Sequence, residues 1–128
     1  LDPLTARLAE IFWPGPLTIV LSPSNELPDH LLGSSKGVAF RVTPHPVARI
    51  LIESFGSPVT STSANFSNQE PVIEYEDAIN KFGHKADLII PNYEPLHGKP
   101  STVVDVTKGK IALIRKGTLS FERIQEVV

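Results

Sequence analysis

The chain has 128 residues, a length typical of one domain, and hydrophobic residues make up 41% of it, which supports a packed core and argues against disorder. Lys and Arg number 12 and Asp and Glu 14, so the net charge of -2 is unlike that of a dedicated nucleic-acid binder. Charges and prolines interrupt every apolar run before the ~18 residues a membrane span needs. The absence of cysteine excludes disulfides, thiol nucleophiles and Cys-ligated metals.

The first residues are typical of a helix start and not of a natural protein start. Asp2 can cap a helix whose first residue is Pro3, and the chain contains no Met. We therefore expect residues 1–128 to form a single domain that belongs to a longer protein and lacks its N-terminal segment. No secretory leader opens the sequence, and the cytoplasm is the expected compartment.

Hydrophobic spacing and turn residues predict alternating helices and strands along the chain. Helices are predicted at 2–12, 47–55 and 74–82, with a last one capped by Ser120. Strands are predicted at 17–21, 37–42, 58–60, 86–90, 101–106 and 111–115. The stretches 22–36 and 93–100 are predicted to be polar loops, the first with a helical turn at 29–32. This order predicts one α/β unit with a mixed sheet.

Several familiar catalytic signatures are missing. The sequence has no phosphate-binding G-x-x-x-x-G-K-[ST] loop, no G-x-G-x-x-G and no H-E-x-x-H. The four His residues are far apart and show no metal-ligand spacing. Ser63 lacks the G-x-S-x-G elbow of a hydrolase nucleophile. We therefore expect neither a protein-held metal ion nor a catalytic side-chain nucleophile.

The segment 60–65 (TSTSAN) places four consecutive hydroxyls after a short apolar run. A loop of short side chains lets backbone N–H groups and hydroxyls approach an anion, so one interpretation is a phosphate or carboxylate cradle. The alternative is a Ser/Thr turn whose hydroxyls bond to their own backbone, and composition alone favours it.

Two arginines lie in apolar strand patterns. Alternation in 38–42 (VAFRV) puts Ala39 and Arg41 on one face of the strand. An arginine in such a position binds an anion through its planar fork or pairs with a nearby Glu, and the pattern does not separate these alternatives. Arg115 follows the apolar run 111–114, at a strand end where α/β folds bind ligands, and the alternative is a solvated surface charge.

Taken in order, these segments resemble the YrdC/Sua5 family, the threonylcarbamoyl-AMP synthases of tRNA modification. The matching motifs are 12–18 (FWPGPLT), 38–46 (VAFRVTPHP), 61–67 (STSANFS), 99–105 (KPSTVVD) and 114–117 (IRKG). The resemblance implies a YrdC-like α/β fold, in which a twisted, mostly antiparallel mixed sheet with flanking helices surrounds a concave ligand cavity.

The resemblance also implies an activity. The family's enzymes are nucleotidyltransferases that convert L-threonine, bicarbonate and ATP, with Mg²⁺, into threonylcarbamoyl-AMP and pyrophosphate. The product serves the downstream threonylcarbamoyl transferase machinery, which modifies adenosine 37 of tRNAs (t6A). Matching the motifs residue by residue assigns L-threonine binding to Arg41, Ser61 and Ser101. It assigns ATP binding to Gly37, Ser63, Asn65 and Arg115.

The family pattern includes an upstream segment, with a Thr/Tyr-containing strand and a Lys/Arg-rich motif, that nothing before Leu1 supplies. We expect the isolated 128-residue chain to have little or no synthase activity. Two alternative functions are a tRNA or double-stranded-RNA binding module and a catalytically silent YrdC-like partner. A hydrogenase-maturation carbamoyltransferase is a further rival, which the lack of Cys disfavours.

Overall fold

A computed structural model describes residues 1–24, 27–33, 35–66, 68–91 and 98–128. The chain divides into two compact units. We call the first, Leu1–Ser57 with Pro100–Val128, the sheet unit, and the second, Pro58–Lys99, the loop unit.

In the ranges that the structure describes, the sheet unit holds four strands and three of the α-helices. Its strands are β1 (Leu17–Leu21), β2 (Val38–Phe40), β3 (Thr102–Asp105) and β4 (Ala112–Arg115). Its helices are α1 (Pro3–Phe12), α2 (Pro46–Phe55) and the last helix, Phe121–Gln125, and a 3-10 turn covers Asp29–Leu31. The strand order is β2-β1-β3-β4, with β1 antiparallel to β2, parallel to β3, and β3 antiparallel to β4. The predicted mixed, mostly antiparallel α/β sheet is therefore confirmed.

Local capping sets the helix ends. Asp2 accepts a hydrogen bond from the Thr5 N–H at 3.0 Å, and Pro3 occupies the first turn of α1. The helix α2 ends at Gly56, whose φ of 72° is the left-handed conformation that glycine adopts without strain. Ser120 accepts from the Arg123 N–H at 3.2 Å, as the sequence predicts for the cap of the last helix.

The core lies on one face of the sheet, under α1 and the last helix. It consists of the buried side chains Leu8, Leu17, Ile19, Val104, Val106 and Ile124. On β1, Leu17 and Ile19 point into this core and Thr18 points to the opposite face, since side chains alternate along a strand. The second face of the sheet carries Thr18 and, two residues further along β1, the buried Val20.

Among its described residues, the loop unit contains one helix, α3 (Tyr75–Phe82). The ring of Phe66 lies 5.2 Å from that of Phe82, and the Lys85 ammonium stands 5.1 Å above the Phe66 ring. These contacts join the end of the hydroxyl-rich segment to the C-terminal end of α3.

Two predicted strands are wrong. Residues 58–60 and 86–90 are described by the structure and form no strand, because neither segment has a neighbouring strand to complete its backbone hydrogen bonds. The predicted loop at 93–100 lies mostly outside the described residues. Within the described ranges, no helix is long and apolar enough to span a bilayer.

Candidate functional site

Strand topology brings the two predicted arginines to the same end of the sheet. Because β1 runs antiparallel to β2 and parallel to β3, the end of β2 lies beside the starts of β1 and β3. The end of β4 lies there as well, since β4 runs antiparallel to β3. Arg41 directly follows β2 and Arg115 ends β4, so both lie at this end.

The register also places these side chains on one face. Thr18 of β1 and Arg115 of β4 both pair with Val103, and directly paired residues share a face. Phe40 pairs with the core residue Ile19, so the next residue, Arg41, belongs to the face of Thr18. Two cations and a hydroxyl thus occupy one end of the non-core face, which is an arrangement suited to an anion.

Ser101 joins this group through a set of short hydrogen bonds. Arg115 donates to the Ser101 carbonyl from Nε at 3.3 Å and from Nη2 at 3.1 Å, and Nη2 also reaches the Ser101 hydroxyl at 3.2 Å. The Ser101 hydroxyl lies 2.7 Å from the Thr18 hydroxyl. Ser101 is only 7% exposed, so its geometry is held from two sides. We call Thr18, Ser101 and Arg115 the serine cluster.

Arg41 is exposed and differs from Arg115 in having no internal partner. Within the described part of the chain, its guanidinium makes no hydrogen bond or ion pair, and the ion pairs seen there are Arg49–Glu53 and Arg123–Glu126. The interpretation of Arg41 as an edge-strand residue paired with a Glu therefore has no support there. The guanidinium of Arg41 is therefore available to an external anion.

Sequence reasoning did not assign a role to Gly117, which supports Ser101. A Cβ at Gly117 would lie 2.3 Å from the Ser101 carbonyl carbon and 2.3 Å from the Thr102 nitrogen. Next to it, the Thr118 N–H donates to the Pro100 carbonyl at 3.2 Å. The 114–117 motif therefore ends in glycine because the main chain at the start of β3 passes directly against it.

Gly37 lies at the opposite end of the sheet. It precedes β2, and a Cβ there would meet Val20 Cγ1 at 2.6 Å and Thr107 Cγ2 at 2.9 Å. Each strand residue adds about 3.3 Å to the length of the sheet. Gly37 therefore lies roughly 10–13 Å along the strands from the serine cluster. Close packing within the sheet unit therefore accounts for glycine at this position, and the structure does not bring Gly37 next to Arg115.

The hydroxyl-rich loop belongs to the loop unit, where Ser61 and Ser63 are exposed. Their hydroxyls make no hydrogen bond among the residues that the structure describes. Asn65 is half-buried, and its amide donates to the carbonyls of Phe66 at 3.0 Å and Gln69 at 3.2 Å. Asn65 therefore shapes the loop with its amide nitrogen, and the two serines present free hydroxyls. Ser67, the last residue of that motif, lies outside the described residues.

One carboxylate near Gly37 is electrostatically perturbed. The hydroxyl of Thr107 donates to Asp105 Oδ1 at 2.6 Å and lowers the pKa of that carboxyl, and the Thr107 N–H adds a second bond at 2.8 Å. Burial of Asp105 opposes this shift. Asp105 thus stays ionised and ties the turn after β3 to the strand.

Groups of His, Asp or Glu able to hold a metal ion are not found in the described ranges. A pocket of about 230 Å³ lies beside the last helix, and its lining includes Lys116 and Gly117, which directly follow Arg115. Its lining residues are Thr102, Leu113, Lys116, Gly117, Leu119, Ser120, Phe121 and Glu122.

Comparisons with known proteins agree with this architecture. A family model for Sua5, YciO and YrdC proteins, described as "Telomere recombination", matches residues 1–117. The threonylcarbamoyl-AMP synthase of Pyrococcus abyssi is 37% identical over 121 residues, which are 94% of this chain and 36% of that protein.

Solved structures are similar over nearly the whole chain. P. abyssi Sua5 complexed with L-threonine has a TM-score of 0.89 at 35% identity, and the match covers 100% of this chain and 38% of the Sua5 chain. E. coli YciO has a TM-score of 0.84 at 31% identity, and the match covers 97% of this chain and 61% of the YciO chain. The chain spans about a third of the length of the P. abyssi protein. It belongs to the Sua5/YciO/YrdC family.

Proposed function

We propose that the protein to which this chain belongs is a threonylcarbamoyl-AMP synthase, which makes threonylcarbamoyl-AMP and pyrophosphate from L-threonine, bicarbonate and ATP. The observation that carries the proposal is the placement of Arg41, Ser101 and Arg115 on one end of one sheet face. Family members named for this activity, and a Sua5 structure that holds L-threonine, support it.

In this proposal the threonine carboxylate is bound by Arg41. A guanidinium forms two parallel hydrogen bonds to a carboxylate, and Arg41 has no internal partner in the described part of the chain to compete for them. Ser101, oriented by Arg115, donates a further hydrogen bond to the amino acid. Ser61, from the loop unit, is proposed to contribute another.

ATP is proposed to be held by Arg115, by the loop residues Ser63 and Asn65, and by the backbone at Gly37. Arg115 uses Nε and Nη2 on Ser101, which leaves the N–H groups of Nη1 for phosphate oxygens. Hydroxyl and guanidinium donors suit phosphate better than they suit a bare cation. Mg²⁺ is therefore proposed to arrive on the ATP phosphates as part of the substrate.

The chemistry needs positioning and no side-chain nucleophile. The threonine amine attacks the bicarbonate carbon, and loss of water leaves a carbamate. A carbamate oxygen then attacks the α-phosphorus of ATP, the bond to the β-phosphate oxygen breaks, and pyrophosphate leaves. Holding these reactants in register contributes ~7–11 kcal/mol to lowering the barrier, and cationic side chains offset the charge that develops on the phosphates.

Because the product is reactive, a second enzyme is expected to use it. A mixed anhydride of a carbamate and a phosphate transfers its acyl group readily, and the proposed acceptor is adenosine 37 of tRNA, through a downstream threonylcarbamoyl transferase. Under the same proposal the protein works in the cytoplasm.

Calorimetric titration of L-threonine and of ATP, each with Mg²⁺, tests the proposal. We expect Arg41→Ala to weaken L-threonine binding by roughly 10- to 100-fold, the effect of losing hydrogen bonds to a charged group. The matched control is Arg49→Ala, which removes an exposed arginine paired with Glu53 on α2 and leaves threonine binding unchanged. Equal threonine affinity in the wild type and Arg41→Ala would refute the amino-acid site.

A further inference from the structure

Thr18 belongs to the serine cluster but has no assigned role. Its hydroxyl lies 2.7 Å from the hydroxyl of Ser101, a residue 83 positions away in sequence. Thr18 is half-buried, and it projects from β1 to the non-core face that also carries Arg41 and Arg115. The contact is therefore part of the face that carries the candidate site and not part of the apolar core.

The protons of the cluster can be assigned from its chemistry. A serine hydroxyl has one hydrogen to donate and two lone pairs that accept. Arg115 can only donate, so its Nη2 contact occupies one lone pair of the Ser101 oxygen. Either hydroxyl can be the donor between Thr18 and Ser101. When Thr18 donates, both Ser101 lone pairs are occupied, and the single Ser101 hydrogen is left for a ligand.

This arrangement makes Ser101 a hydrogen-bond donor with no accepting capacity left. A donor of that kind suits the carboxylate or hydroxyl oxygen of an amino acid and does not suit its ammonium group, which also donates. Two donors into one oxygen also polarise the hydroxyl and strengthen the bond that it gives. Because Ser101 donates and does not accept, a bound amino acid is oriented with an oxygen, and not its ammonium group, toward the Ser101 hydroxyl.

We propose that Thr18 is a positioning residue of the L-threonine site: it donates to the Ser101 hydroxyl and so directs the Ser101 hydrogen to a substrate oxygen. This inference rests on the proposed function, because it assumes that Ser101 contacts the amino acid. Thr18 itself does not touch the substrate, and its effect passes through Ser101.

The test is a titration of L-threonine and of ATP into the longer protein to which this chain belongs. The wild type is compared with Thr18→Val, Thr18→Ser and Ser101→Ala, and with Thr18→Val combined with Ser101→Ala. Thr18→Val removes the hydroxyl while keeping the branched shape, and we expect the Kd for L-threonine to rise by roughly 3- to 10-fold, the effect of one hydrogen bond. We expect the Kd for ATP to change by less than about 2-fold, and Thr18→Ser to restore threonine binding.

The double variant separates an indirect role from a direct one. If Thr18 acts through Ser101, adding Thr18→Val to Ser101→Ala changes the threonine Kd by less than about 2-fold, because the two residues form one interacting pair. The matched control is Thr118→Val, an exposed threonine whose side chain makes no hydrogen bond to the described residues.

Each other outcome has a definite meaning. Unchanged threonine binding in Thr18→Val, or a Thr18 effect that persists without the Ser101 hydroxyl, overturns the positioning role and leaves the proposed function intact. Equal weakening of threonine and ATP binding also overturns it, because loss of structure would have that effect. If the longer protein to which this chain belongs binds no L-threonine, both this inference and the amino-acid site of the proposed function fail.

Discussion

Replacing Gly117 by alanine tests whether close packing of the main chain supports the serine cluster. The added Cβ would lie 2.3 Å from backbone atoms of Ser101 and Thr102, and 2.5 Å from the Pro100 oxygen. These neighbours are backbone and not the flexible end of a side chain. The strand start must therefore move by about 1 Å to reach ordinary contact distance.

The expected loss of stability follows from these contacts. Overpacking of a tight site costs about 1–3 kcal/mol, and loss of the hydrogen bond from the Thr118 N–H to the Pro100 carbonyl adds about 1 kcal/mol. The lower chain entropy of alanine in the unfolded state offsets about 0.4–1 kcal/mol of this. We expect Gly117→Ala to lower the free energy of unfolding by about 1–3.5 kcal/mol and to weaken L-threonine binding, because Ser101 moves with the strand start.

Urea denaturation followed by fluorescence measures this loss, since Trp13 is the only tryptophan and packs against the core of the same unit. The matched control is Gly33→Ala, because Gly33 is exposed and a Cβ added there would meet only the Gly37 oxygen, at an ordinary 3.6 Å. We expect that control to be neutral or stabilising by up to about 1 kcal/mol. Equal stability of the two variants would refute the packing argument.

Two further predictions concern Asp105 and Asn65. Hydrogen bonding from Thr107 holds the pKa of Asp105 below its ordinary 3.8, so the stability that this carboxylate contributes is present above pH 3.8 and is lost as the pH falls through the lower, folded-state value. Thr107→Val should raise that pKa toward 3.8, and an NMR titration of the carboxyl carbon that shows no rise would contradict the assignment. Asn65→Asp removes the amide donor that closes its loop, and we expect the Val72 amide, which donates to the Ala64 carbonyl, to exchange roughly 10-fold faster. Asn68→Asp is the control, and equal exchange in both variants would show that the Asn65 amide does not hold the loop.

Local signals in the sequence were sufficient to predict the helices and strands whose ends depend on nearby residues. The caps at Asp2 and Ser120 and the end of α2 at Phe55 were predicted, because each involves a backbone conformation or a hydrogen bond within three residues. The run 17–21 was predicted with its observed bounds. Alternation correctly separated Arg41 from Phe40, because the side-chain period of a strand does not depend on which strand lies next to it.

The motifs also identified the family, and with it a set of candidate residues, since their order along the chain is a property of sequence alone. They did not distinguish which of those residues face one another. Arg115 was expected to be a nucleotide ligand, and the structure adds that its guanidinium holds the Ser101 hydroxyl and carbonyl.

Only the tertiary structure decided the strand order and the contacts that cross it. Residues 58–60 and 86–90 have strand-like composition and form no strand, because a strand requires a partner and composition does not specify one. The pairing of β1 with β3 brings Thr18 to Ser101 across 83 residues, and the close approach of Gly117 to β3 sets where Ser101 lies. Non-local backbone pairing determines these distances, and no local propensity encodes it.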